Sequence, residues 1–182
     1  MKITKAELIE LGACEEGLKR FIKQTGNTGK AVEVASLVGG ENTYSDLMWL
    51  ASKKSPQGSI VRFACDCALI NIELIKPYTN DYDIIVEFLR DPVGHTHTDI
   101  YDATRAAADA TYAAAAAEGR SECIDTYMAK CAAHAAADAI DAAATEGNTE
   151  YIATYMAKCA AYAAHHACDK EKVNELLKEM FA

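Results

Sequence analysis

Tyr127, Cys131, His134, Asp138 and Asp141 follow one another at spacings of three or four, and Tyr155, Cys159, Tyr162, His166 and Asp169 stand at comparable positions 28 residues on. These side chains are equipped for chemistry. Imidazole moves protons or ligates metals, carboxylate accepts hydrogen bonds, and phenol both donates and accepts. On a helix of 3.6 residues per turn each set forms one stripe. A reduced version, one residue out of step, stands at Tyr101, Arg105, Asp109 and Tyr112. Two uses are open. The plainer is surface pairing at i,i+4 (Arg105 with Asp109, His134 with Asp138, His165 with Asp169), worth about 0.2–0.5 kcal/mol per pair. The other is a recognition groove between helices. Its candidate residues are Arg105, Asp109, Tyr112, Tyr127, His134, Asp138, Asp141, Tyr155, Tyr162 and His166, and it suits a protein partner or a small polar ligand.

Metal and catalytic chemistry find less support. Cys131, Cys159, Cys168, His134, His165 and His166 are zinc-capable types, but no CxxC or HExxH spacing occurs, and adjacent His165 and His166 point about 100° apart on a helix. There is no glycine-rich phosphate loop, no GxSxG and no kinase signature set. The segment GNTGK from Gly26 to Lys30 lacks the spacing of a phosphate loop and reads better as a helix stop followed by a cap. No cofactor, no metal and no enzyme activity are expected.

The elements that must carry the stripes are helices. TYMAKCAA occurs at Thr126 to Ala133 and again at Thr154 to Ala161, and a blurred copy begins at Thr98. A fixed period in this range marks an array of like units. Alanine, which forms helix with no loss of side-chain entropy, dominates here. The periodicity predicts three long Ala-rich antiparallel helices over residues 98–117, 121–145 and 149–169, with Ser121 and Thr149 in equivalent capping positions. Beside each polar stripe runs a core stripe: Ile124, Met128, Ala132, Ala135, Ala139 and Ala142, then Ile152, Met156, Ala160, Ala163 and Ala167. A last amphipathic helix over 171–180 is expected to cap the open end of the array.

Residues 1–97 read as a separate texture, an aperiodic multi-helix core packed against the array over 98–182 in one continuous unit. Thr4 with Glu7 forms a capping box. Helices are predicted over 4–11, 15–24, 28–38, from Thr43 or Ser45 through Leu50, over 59–76 and from Asn80 or Asp81 to Leu89, with Gly26, Gly39-Gly40, Pro77 and Pro92 as stops. The fold class is all-α.

The chain has 182 residues, half of them hydrophobic, and a net charge of -9. Residues 1–97 hold 11 Lys/Arg against 13 Asp/Glu, a net of -2, which leaves 7 against 14 and -7 for 98–182. An acidic array repels phosphate backbones, which argues against direct nucleic-acid binding, and it attracts basic partners. The start of the chain reads as a polar helix opening and not as a leader, and no apolar run reaches the roughly 18 residues a membrane span needs. Seven cysteines without a CxxC pair suggest reduced thiols in a cytoplasmic protein of a bacterial or phage-infected cell.

Three segments stand together in the first half: LIELGACEEGLKRF from Leu8, SDLMWLASK from Ser45 and VRFACDCALINIEL from Val61. With the Ala-rich tract that follows, they resemble an all-helical immunity-protein family of bacterial polymorphic-toxin systems, also common in phage genomes. The resemblance is sharpest at RFACDCA, Arg62 to Ala68, with Asp46 and Trp49 before it. It implies an inhibitory binder that neutralises a toxin or a host or phage defence protein, with no catalytic residues to carry over. The clean 28-residue repeat departs from the looser texture of that family. Trp49, Arg62 and Asp66 read as structural, Arg62 and Asp66 as an ion pair one turn apart that joins core to array.

Overall fold

The structure is a computed structural model that describes residues 1–92, 102, 104–106, 109–110, 124–144 and 150–182. Among these the chain is all-α apart from one two-stranded sheet. The helices are α1 (Lys5–Glu10), α2 (Glu15–Thr25), α3 (Tyr44–Lys54), α4 (Gln57–Leu69), α5 (Tyr82–Arg90), α6 (Ile124–Ala144), α7 (Glu150–His166) and α8 (Lys170–Met180). Two 3-10 turns lie at Val34–Leu37 and Ile72–Tyr78. Residues 104–106 and 109–110 are helical. The rest of the helix expected over 98–117, the caps at Ser121 and Thr149, Tyr112 and the Tyr127 side chain lie outside the described residues.

Local signals set the helix starts. Thr4 Oγ1 accepts from the Glu7 N–H at 3.1 Å while the Thr4 N–H donates to Glu7 Oε2 at 2.8 Å, the reciprocal bonds of a capping box. Thr43 and Asp46 form a second one at the head of α3. Gly26 closes α2 at φ +66°, a left-handed backbone that suits glycine.

Two expectations give way to long-range partners. The helix expected over 28–38 is absent; strand β2 (Val32–Glu33) pairs antiparallel with β1 (Lys2–Ile3), and the first 3-10 turn follows. The valines at 32, 34 and 38 favour extended pairing, and the pairing buries Ile3 and Val34. The helix expected over 59–76 splits after Leu69. Pro77 has no N–H and its ring opposes the carbonyl four residues back, so the second part tightens into the 3-10 turn. The break leaves the Asn71 Nδ2 donating to the Ala167 carbonyl at 2.5 Å, a cap on the end of α7.

Helix α4 lies at the centre. It packs on α6, α7 and α8, and on α3 and α5. Ile60, Phe63, Ala64, Cys65, Cys67 and Ala68 are its buried face. Helices α6 and α7 pack on each other, α3 also lies on α7, and the second 3-10 turn lies on α6. One hydrophobic cluster runs from Ile3 through Phe88, Ala139 and Ala163 to Phe181. The terminal helix α8 has α4 and the first 3-10 turn as its main neighbours, so it covers the centre of the molecule more than the end of the Ala-rich helices. Among the described residues no helix is long and apolar enough to cross a membrane.

Candidate functional site

The wheel reading of α6 and α7 holds for the alanines of the core stripe; the side chains of Ile124, Met128, Ile152 and Met156 lie outside the described residues. Ala132, Ala135, Ala139, Ala142, Ala160, Ala163 and Ala167 are all buried. The polar stripe divides. Cys131 and Cys159 are buried, whereas His134, Asp138, Asp141 and His166 are half-buried and Tyr155 and Tyr162 are exposed.

The half-buried part is an interhelical cluster. His166 Nδ1 lies 2.9 Å from Asp138 Oδ2, and since the carboxylate only accepts, the imidazole nitrogen carries the proton. Asp138 and His166 occupy equivalent positions in the repeat. The His134 ring tilts against His166 at 5.4 Å between centroids, and His165 meets His166 edge-on at 5.8 Å. Burial raises the Asp141 pKa, the nearby Asp138 carboxylate raises it further, and Arg105 opposes both. Arg105 of the expected first Ala-rich helix thus lies within electrostatic reach of the same cluster. The Cys159 thiol is pushed up to about 11 by burial; it hydrogen-bonds Tyr155 and feels Asp141 and Asp138. His134 against His166 and Asp141 near Cys159 show α6 and α7 running antiparallel.

Two of the acids foreseen in surface pairs on single helices bond elsewhere. Asp138 bonds across to α7, and Asp169 does not pair with His165 but accepts from the Lys172 N–H at 3.0 Å as the N-cap of α8. Asp109 is exposed. Among the described residues no three His, Cys, Asp or Glu side chains gather as a metal site would require.

Next to the cluster, and sharing His165 with it, α7 carries a second surface. Tyr155, Lys158, Tyr162 and His165 are all exposed, and their spacings of three and four put them on one helical face. Tyr155 and Tyr162 are 39% and 47% exposed, and the Lys158 ammonium sits 5.7 Å from the Tyr162 ring centroid, a cation–π contact. The period was legible; the exposure was not, because a wheel does not say which flank a neighbouring helix covers.

A cleft of about 380 Å³ lies between α1, α2 and α3, walled by Leu8, Phe21, Trp49 and Leu50. Trp49 also packs against the core. At the cleft Arg20 grips Asp46 with two bonds of 2.7 Å, a pair that the sequence reading missed. Half of it was visible as the Thr43–Asp46 cap; Arg20, 26 positions away, gave no local sign. Arg62 does pair with Asp66, Nε to Oδ2 at 3.0 Å. Nη2 also donates to Asp66, and Nη1 donates to the Arg90 carbonyl at 2.8 Å, so the pair fastens α4 to the end of α5 and not to the Ala-rich helices.

Comparison of the chain with protein-family models, with curated proteins and with solved structures gives no match.

Proposed function

We propose that this chain is a non-catalytic binding protein of the immunity or anti-defence kind, which neutralises a toxin or immune effector by protein–protein contact. The observation that carries the reading is the exposed face of α7. Tyrosines at interfaces supply large amphipathic contact area at low entropic cost, and they work best from a rigid support. Here the support is a helix bonded to α6 through His166 and Asp138 and packed by buried alanines. The net charge of -9 favours a basic partner and speeds encounter. A small polar or nucleotide-like ligand is the alternative, but the half-buried groups of the interhelical cluster already engage one another.

The test uses a protein captured from host lysate on the full chain, then purified. Tyr155→Ala with Tyr162→Ala should weaken its binding at least about tenfold, since interface tyrosines often carry 1–2 kcal/mol each, and should abolish rescue of cell growth on co-expression. Unchanged affinity in the double variant sinks the assignment of this face. Native mass spectrometry that finds a co-purifying metabolite instead would favour the alternative.

A further inference from the structure

The antiparallel register of α6 and α7 has a consequence for two cysteines. His134 meets His166. Moving three residues toward the start of α6 reaches Cys131, about 4.5 Å along the axis. Moving past the end of α7 in the same direction reaches Cys168. The Cys131 thiol lies close enough to Cys168 to raise the pKa of its thiol. Cys131 is buried and Cys168 exposed, and both are free thiols. Cys168 is the single non-glycine residue with positive φ among the described residues, at +57°, a conformation that side chains other than glycine rarely adopt. Both flanks of that turn are pinned, Ala167 by the Asn71 amide and Asp169 by its cap on α8. Cys168 thus stands at the level of Cys131 on backbone that is held on either side.

We propose that Cys131 and Cys168 form a reversible intramolecular disulfide that clamps the α6–α7 hairpin when a small-molecule disulfide oxidises it. The Cys168 thiolate, the accessible one, attacks a sulfur of the oxidant and expels one thiolate, leaving a mixed disulfide. Cys131, its proton lost to solvent, then attacks the Cys168 sulfur and expels the second. One protein dithiol and one small disulfide become one protein disulfide and two small thiols. Burial first, then the Cys131 contact, pushes the Cys168 thiol up to about 11. At pH 7 the thiolate is therefore a minor species. The clamp closes slowly and follows the thiol–disulfide balance of its surroundings; it is not a fast peroxide sensor. This inference does not rest on the binding reading.

The full chain, equilibrated in glutathione buffers from fully reduced to fully oxidised, then acid-quenched, alkylated and digested, gives the test. The expected result is a linked peptide pair holding Cys131 and Cys168, formed under less oxidising conditions than any other disulfide. Its formation should speed about tenfold per pH unit from 7 to 9, and the oxidised chain should melt roughly 5–15 °C higher. Cys168→Ser should abolish both effects while the reduced chain still melts within a few degrees of the parent. Cys131→Ala provides the second arm. Glutathione adducts without an internal bond, a different cysteine pair, or an unchanged or lower melting point would overturn the proposal.

Discussion

Two carboxylates show how placement sets opposite pH behaviour. Asp46 is 16% exposed. Burial alone would raise its pKa, but Arg20 and the Thr43 donors outweigh that and hold it below the ordinary carboxylate value. Because the folded pKa is depressed, the stabilisation is full above the unfolded value near pH 4 and is lost as pH falls through the lower, folded one. Asp46→Ala removes the carboxylate half of the capping box and both Arg20 bonds; urea titration at pH 7 should show a loss of about 2–4 kcal/mol. That gap should shrink below pH 4. Asp141 is the reverse case. Its folded pKa is raised by burial and by Asp138, so stability is greatest below the unfolded value and falls as pH rises through the folded one. Asp141→Asn should leave stability at pH 7 equal or higher. A clear loss there would show that its attraction to Arg105 outweighs the cost of its charge.

At the level of elements, the alanines decide how closely helices approach. Ala64 and Ala68 on α4, Ala135 and Ala139 on α6 and Ala160 and Ala163 on α7 are each no more than 1% exposed. Interiors this tight leave little room for added methylenes. Ala64→Leu or Ala135→Leu should cost about 1–3 kcal/mol in chemical denaturation. Most of these helices were legible because caps, alanine runs and stops are local signals. The β1–β2 pair and the broken helix before Pro77 were not, since what decides them is a partner far along the chain: Ile3 for Val32, Ala167 for Asn71. The site divides the same way. The stripe was visible as a period, while the bond from Asp138 to His166 was not, because a wheel displays only neighbours on one helix.

At the level of the molecule, one hydrophobic cluster includes both the aperiodic first half and the Ala-rich helices. Unfolding should therefore be a single transition, with far- and near-ultraviolet circular dichroism changing together. Separate transitions would mean that the Ala-rich helices melt on their own. The charge imbalance has a kinetic reading. If the acidic half faces a basic partner, raising salt from about 50 to 500 mM should slow association about tenfold and leave dissociation nearly unchanged.

The bond between Asp138 and His166 also bears on the repeat itself. Neighbouring copies that run in opposite directions are related by an approximate two-fold axis, not by translation along a solenoid. A position lying on such an axis meets its own copy, and Asp138 with His166 is that position. A faithful duplication would have set two aspartates face to face, each repelling the other. The sequence departs from its period where self-encounter would be repulsive, and the departure turns repulsion into a hydrogen bond. His166→Asp, which restores the period, should lose about 1–3 kcal/mol at pH 7 and regain it in acid. The exchanged pair, Asp138→His with His166→Asp, should recover most of the loss, because the axis is indifferent to which copy carries which partner.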